Sequence, residues 1–98
     1  MAEIRLTEAA AADLAAIADF GFRRFGEAQT RHYQRLLSER LDRISRSPQM
    51  YPAVDHVRPG YRRAVFQAHA IFSRVEERGV LIVRILGRQD ARTGLGQD

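Results

Sequence analysis

The stretch Val80–Leu86, VLIVRIL, limits the fold more than any other part of the chain. Six of its seven residues are large and apolar, and Arg84 is the only charge. A run this short and this apolar reads as a strand covered on both faces, an inner strand of a sheet. A glycine and a polar cluster, Arg88-Gln89-Asp90, follow it. That charged exit is the first place to look for function.

The rest of the chain supplies the neighbours of this strand. Glu3–Leu6 (EIRL) alternates polar and apolar, as a short half-buried strand does. Thr7 offers a hydroxyl as N-cap, and Glu8 sits where a helix dipole favours negative charge. From Glu8 the pattern is helical. Ala10, Leu14, Ile17, Gly21 and Phe25 share one face, with Asp13 and Asp19 pointing elsewhere. Gly26 stops this helix. A second follows at once, with Tyr33, Leu36, Leu37, Leu41 and Ile44 as its stripe and Arg31, Arg35, Arg43 and Arg46 largely off it. Pro48 ends it, because the residue before a proline avoids the helical region. Two helices joined so tightly fold back as an antiparallel hairpin.

Ser47–Gly60 holds all three prolines and reads as a surface loop over one end of the sheet. Three strands follow: Tyr61–Phe66, then His69–Val75 after a tight turn at Gln67-Ala68, then Val80–Leu86 after Glu76–Gly79, where Gly79 can take positive φ. The order β-α-α-β-β-β predicts an α+β fold, a helical hairpin on one face of a small, mainly antiparallel sheet. The chain reads as a single domain, 1–98, and the residues from about 91 should fray.

The chemistry-bearing residues are sparse. The chain has no cysteine, which excludes disulfides, thiolate metal sites and cysteine nucleophiles. The start lacks a secretory pattern and no apolar run could cross a membrane, so a cytoplasmic protein is expected. His32, His56 and His69 show no metal-ligand spacing, and no glycine-rich phosphate loop or nucleophile elbow is present. No cofactor or metal is expected. His69, at a strand start beside a turn, reads first as a structural imidazole and second as an acid–base group.

The net charge is +4, and all sixteen basic residues are arginine. Coding bias accounts for most of that, and the arginine fork also suits carboxylate or phosphate partners. Arg62, Arg74 and Arg84 fall on the three consecutive strands, where they could gather on one face and hold an acidic partner.

Several segments together resemble the ParE branch of the RelE/ParE toxins of type II toxin–antitoxin systems. They are Thr7, Ala10, Asp13, Leu14 and Ile17 at the start, then Arg24-Phe25-Gly26, Pro48, and Arg58-Pro59-Gly60-Tyr61-Arg62. His69, Ile71, Phe72, Arg74 and Val75 come next, and Arg84–Asp90 (RILGRQD) closes the series. Ser73 stands where many such sequences have tyrosine, and Gly87 follows Leu86 directly where many have an intervening histidine.

The resemblance implies the β-α-α-β-β-β fold and a growth-inhibiting toxin that poisons DNA gyrase without hydrolytic activity. It implies neutralisation by a ParD-like antitoxin in a hetero-oligomer, with operator DNA contacted only through the antitoxin. On that reading Arg62, Arg74 and Arg84 anchor the antitoxin, and Arg88, Gln89 and Asp90 contact the target. The RelE branch, ribosome-dependent mRNA endonucleases, is the alternative. Those enzymes generally use basic side chains including lysine, and often a late tyrosine. Here lysine is absent and no tyrosine follows Tyr61. A non-toxic antitoxin-binding module is the third reading.

Overall fold

The computed structural model describes residues 3–87. The elements run β1 (Glu3–Leu6), α1 (Glu8–Phe25), α2 (Glu27–Arg46), a 3-10 turn (Pro48–Met50), β2 (Tyr61–Phe66), β3 (His69–Val75) and β4 (Gly79–Gly87). The sheet order is β1-β4-β3-β2, so the apolar run does occupy an inner position. β1 lies parallel to β4, and the other pairs are antiparallel.

The hairpin covers one face of the sheet. Ala10, Leu37 and Ile44 from the helices meet Ala64, Phe66, Ile71, Val80, Ile82 and Ile85 from the strands. On the other face Ala70 and Phe72 pack with Val54, Val57, Tyr61, Val83 and Leu86, drawn partly from the proline-containing loop. Core on both sides explains why β4 is apolar at successive positions rather than alternate ones.

The local signals act largely as expected. The Thr7 hydroxyl accepts from the Ala10 N–H at 2.9 Å. Gly26, at φ +85°, ends α1 and begins α2 by itself. The Asp19–Arg23 and Asp42–Arg46 pairs form on the exposed helix faces. Each is worth a few tenths of a kcal/mol at about i,i+4 spacing.

Three details differ. Phe25 was expected on the buried stripe of α1, yet it is 52% exposed and stacks edge-on against Phe20. Gly79 is not among the positive-φ glycines, which are Gly26 and Gly60. Its role is close approach: a Cβ there would lie 1.9 Å from the Glu3 carbonyl oxygen. β4 also carries an extra residue. Phe72 pairs with Arg84 and Ser73 with Ile82, which leaves Val83 as a bulge.

Candidate docking surfaces

The structure separates the three strand arginines. Arg62 sits opposite Ser73, while Arg74 sits opposite Tyr61, the residue beside Arg62. Successive residues of a strand point to opposite faces, so Arg62 lies on the hairpin side and Arg74 on the far side. Arg62 is tied into the loop, its Nη1 donating to the Tyr51 carbonyl at 2.7 Å. Arg74 is the most open of the three and lies 3.7 Å from the Glu76 carboxylate. The arginines therefore do not form one cluster. Arg88, Gln89 and Asp90, and the tail expected to fray, lie outside the described residues.

Arg84 is held by a carboxylate that the helical pattern directs elsewhere. Its Nε and Nη2 donate to the two oxygens of Asp13, at 2.8 and 3.0 Å. The same Asp13 Oδ2 accepts the Ile85 N–H at 2.9 Å. Thr7 completes the arrangement. Its backbone N–H donates to the Ile82 carbonyl and its hydroxyl to the Val83 carbonyl.

The reason is the length of β1. It ends at Leu6, so β4 has no strand partner on that side beyond Ile82. The first two turns of α1 supply side-chain substitutes for the missing ladder. Arg84 thus spans the bulge as a fixed fork, with its partner side chain only 13% exposed. No sequence periodicity could pair Asp13 with a residue 71 positions away.

A third feature is an apolar cleft of about 420 Å³ between the hairpin tip and the β2–β3 turn. Phe20, Phe25, Tyr33 and Leu36 line it together with Gln67 and His69. His69 stands at its edge with Nδ1 against the Tyr33 hydroxyl, 2.5 Å away. Burial lowers the His69 pKa from its ordinary 6.5 and raises that of Tyr33. Both shifts favour the uncharged forms, a neutral imidazole and a neutral phenol sharing one hydrogen bond. His69 is thus bonded through its side chain to Tyr33 of α2. Cleft size and lining suit an apolar side chain or a small apolar ligand. Among the described residues, no group of three or more histidines and carboxylates is placed to hold a metal, and no helix is long and apolar enough to cross a membrane.

Comparison with known proteins agrees with this architecture. A family model described as "ParE toxin of type II toxin-antitoxin system, parDE" matches residues 4–92. The chain is 36% identical over 97 residues to Toxin ParE1 of Caulobacter vibrioides, spanning 98% of this chain and 100% of that protein. It is 38% identical over 82 residues to Toxin ParE1 of Mycobacterium tuberculosis, covering 83% of this chain and 84% of the relative. In fold it is similar to a chain of the chromosomal ParDE TA system from P. aeruginosa, with a TM-score of 0.76 at 22% identity, covering 89% of this chain and 96% of that one. A two-layer toxin scaffold of the RelE/ParE type is the class this fold defines. Within it, the chain belongs to the ParE toxin family of type II toxin–antitoxin systems.

Proposed function

We propose that this ParE-family toxin inhibits growth by binding and poisoning DNA gyrase, without chemistry of its own, and is neutralised by a ParD-like antitoxin in a hetero-oligomeric complex. The observation that carries the reading is the family match across residues 4–92. An amphipathic antitoxin segment lies along the hairpin–sheet groove, with apolar side chains directed to the cleft at Phe20, Tyr33 and Leu36. Acidic side chains of that segment meet toxin arginines. Arg74 is the most accessible anchor, while Arg62 and Arg84 contribute partly by holding the surface in shape. Arg88, Gln89 and Asp90 are the proposed target contacts.

The cleavage alternative needs a group to take a proton from a ribose hydroxyl. His69 is the candidate, but Tyr33 engages its Nδ1, and the cleft lining carries neither a carboxylate nor an arginine. Controlled expression separates the readings. Filamentation and trapped gyrase cleavage complexes, both suppressed by the antitoxin, are the expected result. Immediate loss of translation with mRNA cut inside ribosomes defeats it in favour of the endonuclease. No growth effect in the absence of antitoxin defeats it in favour of a binding module.

A further inference from the structure

His69 stands where the strands and the hairpin meet at the apolar cleft. It opens β3 between Phe66 of β2 and Gly87 of β4. Its ring lies 5.7 Å from that of Tyr33, which lies 5.4 Å from Phe66. The residue lines the cleft and is only half-buried, so it keeps some contact with water.

The charges around His69 decide how much that water matters. From α2 the titratable neighbours are Tyr33 and, in the same cleft wall, His32, whose Nδ1 stands 2.9 Å from Arg35 Nη2. Arg40 of the same helix lies over the Phe66 ring, 5.2 Å from its centroid. The part of the wall drawn from α1 has no ionisable group, nor does the turn Gln67-Ala68. The strand partners Phe66 and Gly87 have none either. Asp19 and Glu27, the carboxylates of the hairpin tip, stand on exposed faces and pair with Arg23 and Arg31. No carboxylate therefore lines the cleft, and the fixed charges beside it, Arg35 and Arg40, are both positive. A proton on His69 has only water and the Tyr33 oxygen to solvate it.

An apolar side chain seated in the cleft would displace that water. The imidazolium beneath it would lose solvation with no opposite charge in exchange. The Tyr33 bond does not distinguish the two forms, because the phenol donates to a neutral ring and its oxygen accepts from a charged one. Desolvation alone sets the difference, and it favours the neutral ring.

We propose that neutralisation is proton-linked through this cleft: an apolar side chain of the antitoxin and a proton on His69 compete for it. The inference rests on the reading that antitoxin side chains enter the cleft. The direction of the linkage follows from which state keeps the proton. Burial already holds the His69 pKa of the free toxin below 6.5, and the complex lowers it further. Antitoxin affinity is full at neutral pH. It falls as pH drops through the titration of the free toxin and levels off once the complex is protonated too.

The test uses the intact toxin and its cognate ParD-like antitoxin. NMR follows the His69 ring from pH 7.5 to pH 5, free and bound, beside the Phe20 and Tyr33 resonances. The His69 titration should move to lower pH in the complex. Kd measured over the same range should rise by about threefold or more toward pH 5. His69→Gln should lose that rise, whatever it does to affinity at pH 7.5, and His32→Gln should keep it. If the antitoxin binds without moving the Phe20, Tyr33 and His69 resonances, the docking reading itself fails, and the linkage with it. If those resonances move but His69 titrates at the same pH free and bound, the linkage alone is overturned. Survival of the full pH dependence in His69→Gln overturns it as well, and assigns the effect to acidic groups elsewhere in the complex.

Discussion

Along β2 the outer edge of the sheet is sealed; along β1 it is bare. The β2 side is closed by the loop before it. Val54 N–H donates to the Tyr61 carbonyl, Arg63 N–H to the Pro52 carbonyl, and Ala53 bridges Arg62. Where the loop ends, Arg40 takes over, donating to the Val65 carbonyl and covering the Phe66 ring. The upper part of β4 is closed in the same manner by Thr7 and Asp13. An unpaired strand edge invites association with other chains, and proteins usually block it. This chain blocks two stretches with side chains and loop backbone. The third, along β1, it leaves without such a cover.

Variants can sharpen or break this contrast. Gly79→Ala carries the largest expected effect. The added methyl would meet the Glu3 carbonyl, so β1 must shift from β4, at a cost of about 3 kcal/mol. Urea unfolding would give the loss, and exchange at the β1 amides facing β4 would show whether that strand is the part released. Asp13→Ala comes next, at about 2 kcal/mol, because it strips the half-buried Arg84 of its fork and the Ile85 N–H of its acceptor. Asp13→Asn keeps an acceptor and should recover part of that. Equal losses for the two variants would show that the charge matters more than the hydrogen bond to the strand.

Smaller effects are expected from single seals. Thr7→Val removes the α1 cap and the bond to the Val83 carbonyl, for about 1 kcal/mol. Arg62→Ala frees the Tyr51 carbonyl and loosens the loop along β2, again by about 1 kcal/mol, seen as faster exchange at Val54 and Arg63.

The mildest prediction concerns pH. Burial holds the His69 pKa below 6.5, so between that lowered value and 6.5 the unfolded chain binds a proton that the folded chain does not. The His69 contribution is complete above 6.5, declines as pH falls through this window and levels off below it. His69→Gln should flatten that part of the stability–pH curve in thermal melts.

Much of the scaffold is legible in the order of residues. Thr7, Gly26 and Pro48 mark element ends by local chemistry, and an apolar run without alternation marks an inner strand. What the sequence hides is contact between distant segments at the sheet edges. Asp13 lies off the apolar stripe of α1, and helical periodicity assigns such a residue to solvent. It has a partner only because β1 stops two strand residues short of Arg84 and β4 bulges at Val83. Gly79 suggests a turn by its type, whereas its need is the passage of Glu3, which no neighbour in sequence reveals. The three strand arginines look alike in spacing. Alternation along β2 and β3, together with the register between them, divides them between faces, and that register is a tertiary fact.

The pairing of β1 with β4 also sets a schedule for biosynthesis. Glu3 leaves the ribosome early, but its partner Gly79 is made only after both helices and two further strands. At about 5–20 residues per second, that delay is roughly 4 to 15 s. During it the first strand has no sheet to join, and the clamp between Asp13 and Arg84 has only one half. The scaffold of this toxin therefore closes late, when nearly all of its described residues have been synthesised.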